Sequence, residues 1–156
     1  CIRDSLRTVA EVVTGEELES IDFEQVRGTE GIKTAVVPVG DLNVRVAIAH
    51  GLGNARALLD SIRNGEAEYD FIEIMACPGG CVTGGGQPIV SARKQMGINL
   101  KAERAKALYT EDANASIRKS HDNPDIKKLY DEYLGEPGSH RAHELLHTHY
   151  HVRPKF

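Results

Sequence analysis

The spacing of apolar residues predicts a helix at the start of the chain. Residues 4–13 carry Leu6, Val9 and Val13 at intervals that bring them to one face of an α-helix. Gly15 follows and favours the left-handed backbone just past a helix end. The first segment is therefore predicted to be amphipathic, with these three side chains on its apolar face.

The middle of the chain alternates between strand and helix patterns. Strands are predicted at 32–39, 42–49 and 69–75, and a helix at 55–63. The first two strands meet at Gly40-Asp41, a pair typical of a hairpin turn. The third strand leads directly into a segment rich in cysteine and glycine.

Helical patterns dominate the last third of the chain. Helices are predicted at 101–110, at 125–134 after Asn123-Pro124, and at 141–147. The order of elements predicts an α/β fold, a small mixed sheet lobe with flanking helices and a C-terminal helical arm. We expect the lobe to occupy residues 1–92 and the arm residues 93–156.

Composition narrows the functional classes. The chain has 156 residues, 40% apolar and 27% charged, with a net charge of −4. This suits one modest globular domain and gives no basic face for nucleic acid. No apolar run reaches the roughly 20 residues of a membrane span, and no leader is recognisable, so a cytoplasmic location is expected. Three cysteines favour thiolate ligands in a reducing compartment over a disulfide framework.

The chemistry is concentrated between Glu73 and Pro88. Cys77 and Cys81 lie four residues apart on a loop rich in glycine, which permits unusual backbone angles and close approach of amides to an anionic group. A tight bend with two buried cysteines is the plainer interpretation. Phosphate binding is disfavoured because no Lys-Ser/Thr follows the glycines, and their spacing is not that of a dinucleotide fingerprint.

This segment resembles the third signature segment of [FeFe]-hydrogenases, E-x-M-x-C-x-x-G-C-x-x-G-G-G-Q-P, at every defined position. Similar features of that family recur across nearly the whole chain, at residues 26–28, 31–33, 49–51, 118–121 and 142–147. The resemblance implies half of the catalytic domain of an iron-only hydrogenase, an oxidoreductase that interconverts H2 with protons and electrons.

The resemblance also implies a cofactor, a [4Fe-4S] cluster joined by a cysteine thiolate to a diiron unit that carries CO, CN and a bridging dithiolate. Cys77 would ligate the cluster, and Cys81 would ligate it and bridge to the diiron unit as the catalytic thiolate. Met75, Gly80 and Gln87 would contribute to cofactor binding, Met75 as part of an apolar wall beside the diiron unit. Soft thiolates suit iron–sulfur centres.

Two further ligands are expected from outside this chain. The family uses four cysteines, and the surroundings of Cys1 do not match either missing segment. The chain also opens without Met in what looks like the middle of a helix. We therefore expect the N-terminal half of the domain as a partner or cleaved segment, and an electron carrier such as ferredoxin or NAD-linked subunits. A leader on a partner chain would make the location periplasmic.

Rival interpretations remain open. The stretch from His143 to His147 matches the zinc-protease pattern H-E-x-x-H, although a third downstream ligand at a conventional spacing is unclear and the family resemblance explains it as a closing helix. A Nar1-like iron–sulfur assembly protein without a diiron unit is the main alternative function. A sensory hydrogenase homologue is the third.

Overall fold

The computed structural model describes residues 2–18, 22, 27–28 and 31–154. They form two compact units, residues 1–118 and residues 119–156. The predicted division into a lobe of residues 1–92 and an arm of residues 93–156 stays a prediction. None of the helices in the described ranges is long and apolar enough to cross a membrane.

A three-stranded mixed sheet forms the centre of the first unit. Strands β1 (Ile32–Val39), β2 (Leu42–His50) and β3 (Phe71–Met75) lie in that order across the sheet. β1 and β2 pair antiparallel through the predicted hairpin, where Gly40 has φ 56°. β2 and β3 pair in parallel, and helix α2 (Leu52–Arg63) provides the crossover between them. The predicted α/β class with a mixed sheet is confirmed.

Helices cover both faces of β2. Successive residues of a strand point to opposite faces, so Val46 and Ile48 face one side while Ala47 and Ala49 face the other. Helix α1 (Ile2–Thr14) supplies Ile2, Leu6 and Ala10 to the first core, and α2 supplies Ala55 and Leu58 to the second. The sheet therefore packs between two apolar layers. Each layer stabilises the first unit because its side chains are removed from water.

The predicted apolar face of α1 is only partly correct. Leu6 is buried, but Val9 is 44% exposed and Val13 is 51% exposed. The buried side of the helix instead contains Ile2, Leu6, Ala10 and Arg7. Sequence spacing favoured the valines because it could not anticipate that a charged side chain would be buried through specific partners.

Those partners lie on helix α4. This helix (Leu100–Asn114) begins at Asn99, whose side chain accepts a hydrogen bond from the Ala102 amide at 3.2 Å. Near its end Asp112 accepts hydrogen bonds from Arg7, at 3.1 Å to each carboxylate oxygen, and ion pairs with Arg3 and Arg118 at 3.2 and 2.9 Å. The carboxylate therefore joins α1 to α4.

The remaining helices are short. Helix α3 (Ala92–Gln95) precedes α4 in the first unit. In the second unit, α5 (Pro124–Leu129) continues into a π-helical turn (Tyr130–Leu134), and α6 spans His140–Leu146. The predicted helix at 125–134 is thus divided into two geometries, and Gly135, with φ 76°, ends it.

The charge of Asp112 generates a prediction about stability. Partial burial opposes its ionisation, but hydrogen bonds from Arg7 and Arg118 outweigh this and hold the pKa of Asp112 well below its usual value. The stabilisation is present above the ordinary carboxyl pKa near ~4 and is lost as pH falls toward the lowered folded value. Asp112→Asn should lower the free energy of unfolding at pH 7 by about 2 kcal/mol.

Urea unfolding between pH 2 and pH 7 would measure this effect. The difference between the wild type and Asp112→Asn should shrink as the solution becomes more acidic. Asp41→Asn removes an exposed carboxylate from the hairpin turn and serves as the control. Equal stability of the wild type and Asp112→Asn at pH 7 would contradict this account of the ion pairs.

Candidate metal centre

The parallel pairing of β2 and β3 places the cysteine loop. Met75 ends β3 directly beside His50, the last residue of β2. The Gly51 amide donates to the Met75 carbonyl at 2.8 Å and continues the contact past the strand ends. Both strands therefore release their chains at the same sheet edge, and the chain after Met75 carries the two cysteines.

Two left-handed glycines turn the loop. Gly79 has φ 89° and Gly80 has φ 79°, conformations that side chains strain. The Gly80 amide donates to the Cys77 carbonyl at 2.9 Å, and a 3₁₀ turn follows over Gly80–Thr83. Cys81 lies within this turn, so its position depends on the two glycines before it.

Side chains within the loop bind its own carbonyl groups. The Thr83 hydroxyl donates to the Pro78 carbonyl at 2.6 Å. The Gln87 side-chain amide, predicted to bind cofactor, donates to the Cys81 carbonyl at 3.2 Å. The structure therefore brings Gln87 against the backbone of Cys81.

The predicted site residues differ in exposure. Cys77 is partly buried and Cys81 is exposed, and both are free thiols. Met75 is partly buried, and its Sδ atom would lie 2.7 Å from a Cβ added at Gly80. Only glycine lets the loop pass this close to the methionine sulfur.

A cavity of about 240 Å³ opens beside the loop in the first unit. Cys81, Met75 and Gly80 are among its lining residues, whereas Cys77 and Gln87 are not. The lining also contains polar residues that were given no role from the sequence: Arg3, Lys33, His50, Glu73 and Tyr109. The structure thus joins three of the five predicted site residues in one cavity.

His50 and Glu73 are the notable additions. His50 is 4% exposed, and its Nε2 would lie 3.5 Å from a Cβ at Gly80. Glu73 Oε1 accepts a hydrogen bond from the Ile2 amide at the start of α1, at 3.2 Å. Its Oε2 is buried and has no hydrogen-bond partner within the described part of the chain. The end of β2 beside the end of β3 was the sequence signal that could have identified His50, and the first position of the signature segment could have identified Glu73.

The two thiols of this loop would provide two of the four thiolate ligands of an iron–sulfur site. The space beside Cys81 is the cavity of about 240 Å³ that Cys81 lines together with Gly80 and Met75. In the described ranges no three His, Cys, Asp or Glu side chains stand close enough together to hold a metal ion. The donor set is therefore compatible with the implied cluster only if further ligands come from elsewhere.

The zinc-protease pattern is not arranged as a metal site. Helix α6 ends at Leu146, so His147 lies just past the helix with an extended backbone rather than on it, and the predicted helix end at residue 147 is one residue too late. The rings of His143 and His147 stack with centroids 4.4 Å apart. Stacked rings do not direct two nitrogens at one ion, as the zincin pattern requires.

Comparison with known proteins identifies the relationship. Residues 1–85 match the family model for the iron only hydrogenase large subunit, C-terminal domain, and residues 98–153 match that for the iron hydrogenase small subunit. The chain belongs to the iron-only hydrogenase family. It corresponds to a C-terminal part of such a protein.

Individual relatives support this assignment. The NADP-reducing hydrogenase subunit HndD of Solidesulfovibrio fructosivorans is 50% identical over 99% of this chain and 26% of its own length. Iron hydrogenase 1 of Clostridium pasteurianum is 43% identical over 94% of this chain and 25% of its own length. A solved apo form of the [FeFe]-hydrogenase HydA1 from Chlamydomonas reinhardtii superposes with a TM-score of 0.71 and 41% identity, covering 94% of this chain and 42% of that one.

The chain therefore spans about a quarter of the length of these curated relatives. A more distant similarity also covers most of it: Protein NAR1 of Arabidopsis thaliana is 29% identical over 93% of this chain and 30% of its own length.

The contact between Gly80 and Met75 yields a direct test. Gly80→Ala places a Cβ 2.7 Å from Met75 Sδ at a positive φ, so the loop should shift and the protein should lose about 2 kcal/mol of stability. Thermal unfolding of the cluster-free protein measures this loss. Gly85→Ala is the matched control, because a Cβ at Gly85 would meet nothing within 4 Å. Equal melting of both variants would refute the close contact.

Proposed function

We propose that this chain is the C-terminal half of the catalytic domain of an [FeFe]-hydrogenase. Joined to the N-terminal half, it would catalyse reversible H2 oxidation and proton reduction. The observation that carries the proposal is the complete signature segment on a loop whose Cys81, Met75 and Gly80 line one cavity. Membership of the hydrogenase family supports the same reading.

The two thiolates would have different roles. Cys77 would ligate a [4Fe-4S] cluster, and Cys81 would ligate the cluster and bridge to a diiron unit. A sulfur atom has enough lone pairs to join two metals, and the exposed Cys81 faces the cavity while the partly buried Cys77 does not line it. The diiron unit, with its CO, CN and dithiolate ligands, supplies the redox chemistry of H2.

The other predicted residues would shape the loop around this cofactor. Gly80 allows the approach of the loop to Met75, and the Met75 thioether would form part of an apolar, polarizable wall. Gln87 would hold the Cys81 carbonyl and so fix the position of the thiolate of the same residue. These roles concern binding and orientation, and they leave the bond-making chemistry to the cofactor.

The N-terminal half is the partner that this arrangement requires. It would supply the two thiolates that the described residues lack. β3 is also an edge strand of the sheet in the described ranges, and open strand edges in proteins are usually covered by another segment. The chain covers 42% of the solved relative, which leaves most of that protein to provide such a segment.

The electron partner and the cellular location are proposals that the names of the relatives suggest. The relative HndD is named as a subunit of an NADP-reducing hydrogenase, which favours NAD(P)-linked subunits as electron carriers, with ferredoxin as the other candidate. We propose a cytoplasmic location. A relative is named as the large subunit of a periplasmic hydrogenase, so the alternative location also has a precedent in the family.

A Nar1-like role in iron–sulfur cluster assembly is the second candidate. It is favoured by the similarity to Protein NAR1 over 93% of the chain. The identity of 29% is well below the 50% to HndD at similar coverage, so we rank hydrogenase first. A sensory hydrogenase homologue would share the cofactor and stays a third possibility.

Infrared spectroscopy tests the proposal. We expect the protein, purified without oxygen together with its N-terminal half, to show stretches of iron-bound CO and CN, which ordinary cluster proteins lack. Cys81→Ala should abolish both these bands and H2 evolution, because the bridging thiolate is removed. Cys77→Ala should lower the iron content by weakening the cluster.

Cys1→Ala provides the matched control, since Cys1 is a third cysteine to which no ligand role is assigned; it lies outside the described residues. This variant should retain the bands. Iron and sulfide without CO and CN bands, even after a synthetic diiron complex is added, would favour the assembly role. Substantial H2 evolution by Cys81→Ala would refute the bridging assignment.

A further inference from the structure

One arginine of helix α4 binds the cysteine loop through two hydrogen bonds. Arg104 Nη1 donates to the Val82 carbonyl at 3.0 Å, and Nη2 donates to the Pro88 carbonyl at 2.5 Å. Val82 directly follows Cys81, and Pro88 ends the signature segment. A single guanidinium therefore joins the two ends of the stretch that contains the three consecutive glycines.

A second residue of α4 also lies against the cysteine loop. Lys101 lies one helical turn before Arg104, and a Cβ added at Gly79 would meet its Cδ at 3.2 Å. α4 also packs against the 3₁₀ turn that contains Cys81, where Val82 is 6% exposed and Ala105 of the helix is 8% exposed. The hydrogen bond of Arg104 to Val82 thus lies beside a packed contact, whereas its hydrogen bond to Pro88 is exposed to solvent.

The contact crosses the boundary between two family models. Val82 falls in the large-subunit match of residues 1–85, and Arg104 falls in the small-subunit match of residues 98–153. The periplasmic large-subunit relative aligns with 55% of this chain. The small-subunit-like region consequently reaches the candidate metal centre through a side chain that the signature segment does not include.

We propose that Arg104 is a positioning residue for the cysteine loop, through which the small-subunit-like region holds residues 82–88 closed and fixes the orientation of Cys81. Three successive glycines make this stretch costly to order, so an external clamp has a strong effect on it. The planar guanidinium can bind two carbonyls at once, whereas a lysine ammonium at this position would reach one of them. We call the two hydrogen bonds of Arg104 to Val82 and Pro88 the clamp. The clamp is argued from geometry, and its effect on the cluster rests on the proposed function.

Hydrogen exchange of the full protein tests the clamp without cofactor. In Arg104→Ala, amides within residues 82–88 should exchange about tenfold faster or more, since the loop loses two hydrogen bonds from a charged donor. Amides of β2 should keep their wild-type rates. Arg104→Lys should fall between the two. Lys106→Ala removes an exposed cation from the same helix and should exchange as the wild type does.

A spectroscopic readout separates positioning from folding. In the assembled protein, Arg104→Ala should shift the electron paramagnetic resonance signal and the reduction potential of the [4Fe-4S] cluster, while Lys106→Ala leaves both unchanged. Wild-type exchange rates in the loop of Arg104→Ala would overturn the clamp. Equal acceleration in β2 would overturn it as well, because the residue would then be a general structural element.

Faster amide exchange in residues 82–88, together with an unchanged resonance signal and reduction potential of the cluster, would overturn the proposal that Arg104 positions Cys81. Absence of a cluster from the wild type would refute the proposed function instead, and the exchange experiment would still decide on the clamp. The two ideas therefore fail through different measurements.

Discussion

The parallel pairing of β2 and β3 is the constraint on which the candidate metal centre depends. Parallel neighbours release their chains at the same sheet edge, so His50 and Met75 stand side by side and the cysteine loop begins there. Small residues at Ala47 and Ala49 let the crossover helix pack closely on β2. An antiparallel β3 would have sent the loop to the opposite edge, away from His50.

The cavity combines features that an anionic thiolate centre needs. Arg3 and Lys33 bring positive charge to its lining, and Glu73 is engaged at the start of α1 through one oxygen. The buried second oxygen of Glu73 has no donor within the residues that the structure describes. Because a buried carboxylate oxygen normally accepts a hydrogen bond, this oxygen is an unsatisfied acceptor beside the cavity.

Much of the fold, and the place of the cysteine loop after β3, could be predicted from the sequence. Strand alternation, the Gly40-Asp41 turn and Asn123-Pro124 act locally, so the hairpin and the start of α5 followed from short patterns. The signature segment located Cys77 and Cys81 because its glycines and cysteines are contiguous. Val9 and Val13, predicted to share the apolar face of α1 with Leu6, are exposed, because burial depends on what packs against that helix.

Long-range charged contacts could not be predicted from the sequence. Asp112 meets Arg7 from more than 100 positions away, at 3.1 Å, and no local pattern distinguishes that pair from surface charges. Arg104 likewise occupies an ordinary position in the α4 pattern, and only the fold brings it to Val82. The H-E-x-x-H match at His143 differs, because its reason is local: the helix ends before His147, and the two rings stack.

The wall beside Cys81 bears on the choice between the two leading functions. A cluster alone needs thiolates and amide donors, which a cysteine–glycine loop provides. It does not need a thioether held against the loop backbone, which here requires glycine at position 80 and a methionine ending β3. If Cys81 holds a second metal unit as proposed, a soft, polarizable side chain at that place would suit that unit, which agrees with the hydrogenase rather than with the assembly protein.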